Sequence, residues 1–171
     1  MKILGLALIG IGLSSCENSR TFDESEIPVS NAIIAAHELG KSNEVDRISY
    51  VPIYSNLLYH DNRHLIALHS TVSIRNLSLD QNLEIVSATY YDTNGKKIRE
   101  LIEEPFGVKP LASFELVILE ADLKGGSGAK ILINWQAAKA PFPEPIVEAI
   151  FLGKRGSSEF AFSSRGAVVS K

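Results

Sequence analysis

From Ile48 onward the apolar residues fall on every second position, and that period decides which elements the chain can form. In His64–Arg75, Ile66, Leu68, Val72 and Ile74 alternate with His69, Thr71, Ser73 and Arg75. Phe114, Leu116 and Ile118 alternate with Ser113 and Glu115, and Ile131, Ile133 and Trp135 alternate with Lys130, Leu132, Asn134 and Gln136. Successive side chains of a strand leave on opposite faces, so such a pattern makes one apolar face only when the backbone is extended. Residues 48–54, 83–91, 96–102, 147–151 and 160–162 complete a set of about eight segments, with no helical period between any two. Pro52 marks the first as an edge strand or a bulge, because it cannot donate to a ladder. Asp92-Thr93-Asn94-Gly95 reads as a hairpin turn, since Asn and Gly tolerate positive φ. Strands at regular spacing without crossover helices predict an all-β, immunoglobulin-like antiparallel β-sandwich of about 7–8 strands over residues 47–171.

The other end of the chain follows different rules. Lys2 precedes an unbroken apolar or glycine run of 11 residues, 3–13, the length of a signal-peptide core and too short to span a bilayer. Leu13-Ser14-Ser15-Cys16 follows and resembles a bacterial lipobox, in which small residues let the peptidase cut after Ser15 and Cys16 receives the lipid. Residues 1–15 are therefore read as a lipoprotein signal peptide, with palmitate-type acyl chains on Cys16 holding the protein to the membrane. Several acyl chains anchor stably where one is marginal. Residues 16–46 read as an acidic tether. Past Cys16 it holds Glu17, Asp23, Glu24, Glu26, Glu38, Glu44 and Asp46 against Arg20 and Lys41, with Pro28 and one aromatic, Phe22. Ser30 before residues 31–39 and Gly40 after them predict one short helix there. A flexible tether of this length holds a domain on the order of 30 Å from the membrane. The expected location is the bacterial cell envelope, and Glu17 after the Cys, in place of Asp, favours the outer membrane.

The 171 residues carry a formal net charge of −3, and losing Lys2 with the signal peptide makes it −4. That charge offers no footprint for nucleic acid. Cys16 is the only cysteine, so the domain has no disulfide framework.

The succession Tyr50-Val51-Pro52-Ile53-Tyr54, Ser73-Ile74-Arg75-Asn76 and Tyr90-Tyr91-Asp92-Thr93-Asn94-Gly95 is distinctive. Pro110-Leu111-Ala112-Ser113, Gly125-Gly126-Ser127-Gly128-Ala129, Asn134-Trp135, Val147-Glu148-Ala149 and Phe162-Ser163-Ser164-Arg165-Gly166 extend it. In this order and spacing the motifs resemble a bacterial lipoprotein family, the domain of unknown function 3124 (DUF3124), over about residues 48–169. The resemblance implies no activity and no catalytic residues.

Four constellations are candidates for chemistry. His60, Asp61 and His64 are a candidate metal set, although surface turn histidines are the ordinary case; His69 is offset from His64 by an odd number and points to the opposite face. Gly125-Gly126-Ser127-Gly128 lacks the Lys-Ser/Thr ending and following helix of a phosphate loop, and reads as a wide turn whose amides could contact a ligand. Tyr50, Tyr54 and Tyr90, with Tyr59 and Tyr91, are candidates for an exposed aromatic strip that stacks on sugars or anchors a partner. Glu148 among apolar neighbours faces away from Val147 and Ala149. No serine stands in a Gly-x-Ser-x-Gly elbow. The expectation is a binding or structural module with no catalytic residues and no cofactor, its partners being the membrane and an envelope protein or glycan. Trp135 is expected to be buried between the sheets beside Phe114 or Phe151.

Overall fold

A computed structural model describes residues 32–35, 44–60 and 63–169. The signal peptide, cleavage at Ser15, Cys16, most of the tether and Asp61 lie outside the described residues. Among the described residues there are twelve strands: β1 (Ile33–Ala35), β2 (Val45–Ile53), β3 (Asn56–Tyr59), β4 (His64–Arg75), β5 (Leu83–Tyr91), β6 (Lys97–Glu100), β7 (Phe106–Val108), β8 (Ser113–Ile118), β9 (Ala129–Ala137), β10 (Ile146–Arg155), β11 (Ser158–Arg165) and β12 (Ala167–Val169). All pairings are antiparallel. One sheet runs β1-β7-β5-β9-β2-β12 with β6 beside β5; the other runs β11-β10-β4-β3 with β8 beside β4. The two sheets stack as a β-sandwich. Among the described residues no helix is long and apolar enough to cross a membrane.

The eight alternating segments become β2, β4, β5, β6, β8, β9, β10 and β11. Four more, β1, β3, β7 and β12, have only three or four residues, too few to show a period. β1 also corrects the helix expected over 31–39, because Ile33–Ala35 pairs with Val108–Phe106. Isoleucines lose χ1 freedom in a helix, and the edge of β7 offers them ladder partners instead. Pro52 occupies the edge position expected of it: β12 covers only Ile48–Tyr50 of β2, so no outer ladder calls for its missing N–H.

The predicted hairpin turn is made by Asp92, whose Oδ1 accepts from the Asn94 and Lys96 amides at 2.9 and 2.8 Å, while Gly95 takes φ +81°. Asn76 organises the turn after β4. Its buried Nδ2 donates to the carbonyls of Gln81, Val108 and Lys109, and its Oδ1 accepts from Ser78 N–H.

The core lies between the inward faces. Leu68, Val72 and Ile74 of β4 meet Ile131, Ile133 and Trp135 of β9, Ile85 and Tyr90 of β5, and Phe151 of β10, all buried. Trp135 is buried as expected, and its Nε1–H donates to Ser49 Oγ at 3.0 Å. Its aromatic neighbour differs from the expected Phe114 or Phe151. Phe142, in the connection between β9 and β10, lies 6.1 Å away, whereas Phe114 packs on Phe106 and Phe151 stacks on Phe162. The irregular connection folds back over the strand end, a placement that strand alternation does not encode.

Candidate functional site

The residues singled out above divide into a buried knot, an open face and a hairpin tip. The knot joins Tyr90 to the glycine loop. Tyr90 and Tyr91 are adjacent, so one must turn inward, and it is Tyr90 that is fully buried. Its hydroxyl lies 2.7 Å from Ser55 Oγ, itself buried where the chain passes from β2 to β3. Gly125 closes over both, and a Cβ there would stand 2.0 Å from the Tyr90 hydroxyl and 2.4 Å from Ser55 Oγ. Leu123–Gly125 is a 3-10 turn capped by Asp122, with φ +74° at Gly126. Three of its backbone groups are bonded within the chain: Gly125 O accepts from both the amide and hydroxyl of Thr93, Gly126 O from Ser55 N–H, and Gly128 N–H donates to Thr93 Oγ1, while Ser127 is exposed. The loop is thus the wide turn the sequence suggested, fastened to the β5–β6 hairpin.

Charge surrounds the knot. The Arg99 guanidinium stands 5.2 Å from the centre of the Tyr90 ring and pairs with Asp122. Burial pushes the Tyr90 hydroxyl above its ordinary pKa, and the Asp122 charge adds to this, against the opposing pull of the Ser55 hydrogen bond and Arg99. A neutral, fully buried phenol is a packing group and offers no ring for stacking.

Tyr90 therefore leaves the proposed aromatic strip. So does Tyr54, half-buried with its ring edge-on to Phe151 and Phe162 at 5.3 and 5.7 Å. Tyr59 is partly buried under the Arg155 guanidinium, 3.8 Å from its ring centre. Tyr50 alone is exposed, opposite Leu132 of β9, and Tyr91 is half-buried on the same face opposite Lys130. The strip fails because the tyrosines near the β2–β3 corner and on β5 fill space that only the crossing of the two sheets creates.

His60 and His64 sit at the tip of the β3–β4 hairpin. His60 has φ +59° and its ring lies 4.2 Å from that of Tyr59, while His64 pairs in register with Tyr59. With Asp61 outside the described residues, no group of three His, Cys, Asp or Glu side chains converges among those described.

The open face belongs to the five-stranded sheet. Val117, Leu119, Ile150 and Leu152 are exposed there, with Leu123 nearby. Beside them runs a groove of about 460 Å³ between His69, Glu120, Leu152, Lys154, Glu159 and Phe160. These residues escape a search for catalytic motifs. A different signal marks them: the unbroken runs Leu116-Val117-Ile118-Leu119 and Ala149-Ile150-Phe151-Leu152 make both faces of their strands apolar.

Architecture and site together define an all-β sandwich in which Tyr90, Ser55 and Gly125 are committed to packing. The chain belongs to the family described as "Protein of unknown function (DUF3124)", whose profile matches residues 46–169. It is also similar to the solved structure titled "Crystal Structure of Thermotoga maritima 1070", at 12% identity and a TM-score of 0.41, over 75% of this chain and 96% of that one. No curated protein matches it.

Proposed function

We propose that this protein is a lipid-anchored module of the bacterial cell envelope, held by acyl chains on Cys16, that binds or supports other envelope components and performs no chemistry of its own. The observation that carries the reading is Leu13-Ser14-Ser15-Cys16, with the chain's only cysteine, directly after an 11-residue apolar run. The apolar outer face at Val117, Leu119, Ile150 and Leu152 supports a binding role, because exposed apolar patches on a soluble domain commonly mark contacts. The knot of Tyr90, Ser55 and Gly125 supports the absence of chemistry, since its groups are buried and occupied by one another. The acidic residues that precede β1, Glu17, Asp23, Glu24 and Glu26, suit a spacer between membrane and sandwich, and Glu17 favours the outer membrane where there is one.

Labelling cells with radioactive palmitate tests the anchor. The wild type incorporates label and sediments with membranes. The Cys16→Ser variant stays unlabelled, keeps its signal peptide and runs larger on a gel. Equal labelling of both, or labelling of neither, overturns the reading.

A further inference from the structure

We infer that this protein pairs with a second copy of itself through the free edge of β11, joining two five-stranded sheets across a two-fold axis.

Sheet edges attract other strands, and natural proteins blunt them by shortness, charge or proline. Most outer strands of this sandwich follow that rule. β1 and β12 have three residues each, β3 and β6 four, and β8 carries Glu115 near its middle. β11 does not. It runs for eight residues, Ser158–Arg165, without proline or lysine, and its only charges are Glu159 and Arg165 near its two ends.

The direction of its backbone groups follows from one hydrogen bond. Gly166 N–H donates to Val147 O at 2.8 Å, toward β10. Backbone direction reverses at each residue of a strand, so Glu159, Ala161, Ser163 and Arg165 aim their N–H and C=O groups away from β10. Among the described residues β11 forms a ladder with β10 alone. Four outward-pointing residues at alternate positions are enough to template an added strand.

The charges select the occupant. In an antiparallel pairing of β11 with its own copy, centred on Phe162, Glu159 stands opposite the partner's Arg165, and the symmetry makes this contact twice. Ala161 then faces the partner's Ser163, Phe160 the partner's Ser164, and Phe162 its own counterpart. The parity is consistent. Glu159, Ala161, Ser163 and Arg165 are exposed on the outer face, while Phe160, Phe162 and Ser164 are half-buried on the inner one. Like faces therefore meet like faces, and an isologous contact closes without a free end. Arg165 already lies beside Glu148 in the β10 register, so the partner's Glu159 would complete an acidic-basic-acidic row.

The inference rests on the sandwich and is independent of the lipid anchor. It is tested on the full chain, in membranes and after extraction in mild detergent. Opposed residues of a hydrogen-bonded antiparallel pair have Cα atoms about 5.5 Å apart, within disulfide reach. The double variant Ala161→Cys/Ser163→Cys is expected to form a disulfide-linked dimer under mild oxidation, whereas Ser113→Cys/Glu115→Cys on β8 does not. Glu159→Arg should weaken the dimer seen by sedimentation about tenfold, since it sets like charges opposite each other twice. Adding Arg165→Glu should restore it. All these positions except Ala161 carry exposed polar side chains, and Ala161→Cys is a small replacement at an exposed position, so the fold is retained. A protein that stays monomeric at every concentration, crosslinking at β8 equal to that at β11, or a dimer indifferent to Glu159→Arg overturns the proposal.

Discussion

Gly125→Ala is the sharpest probe of how this sandwich is held together. The added methyl group would stand 2.0 Å from the Tyr90 hydroxyl, 2.4 Å from Ser55 Oγ and 2.8 Å from the Ala129 Cβ. All three neighbours are buried, so no flexible end can swing into solvent. Relief requires the 3-10 turn to lift or the Tyr90–Ser55 pair to separate. Overpacking a close-packed interior costs about 1–3 kcal/mol. Separating a buried hydroxyl pair adds about 1–3 kcal/mol for the groups left unsatisfied. The expected loss is therefore roughly 2–6 kcal/mol, a large share of the 5–15 kcal/mol typical of a small domain. Urea unfolding followed by tryptophan emission measures it, because Trp135 is the only tryptophan and is buried. A double-mutant cycle isolates the cause. Tyr90→Phe removes the nearest clashing atom, so Gly125→Ala should cost at least about 1 kcal/mol less in that background. A cost below about 0.5 kcal/mol for Gly125→Ala alone, or strict additivity with Tyr90→Phe, would refute the knot as the reason for glycine here.

Two further outcomes follow from the same core. Tyr90 has its pKa raised above the ordinary 10.0, chiefly by burial, so its contribution is fully present below that value and is lost as pH rises through the raised folded-state pKa. Tyr90→Phe should therefore flatten the alkaline decline in stability measured by denaturant melts between neutral pH and about pH 11, and an unchanged alkaline limb would count against the buried phenol. Trp135→Ala should cost about 3–5 kcal/mol, as truncation of a buried aromatic does, and wild-type emission should be blue-shifted and resistant to acrylamide. A red-shifted, readily quenched spectrum would contradict its burial.

Much of this architecture is legible in the sequence. The alternation of Ile66, Leu68, Val72 and Ile74 specified both a strand and its buried face, because a period of two is a local property of extended backbone. The turn at Asp92-Thr93-Asn94-Gly95 was legible for the same reason, since its hydrogen bonds close within four residues. The apolar run ending in Leu13-Ser14-Ser15-Cys16 is local too, and the expectation of a lipid anchor needs nothing beyond it.

Tertiary structure alone decided the rest. Ile33–Ala35 has the residues of a short helix or strand, and the unpaired edge of β7, more than seventy residues away in sequence, made it a strand. Adjacency required one of Tyr90 and Tyr91 to be buried but could not choose between them. The choice fell to Ser55 and Gly125, which the fold brings to the Tyr90 hydroxyl from 35 residues on either side. Trp135 found Phe142 in place of Phe114 or Phe151 because a connection without period closed over it. Side-chain period is written into each strand, whereas partners distant in the chain are chosen by how two sheets cross and which edges they leave open. The exposed edge of β11 is of that second kind, since no local pattern marks a strand as outermost.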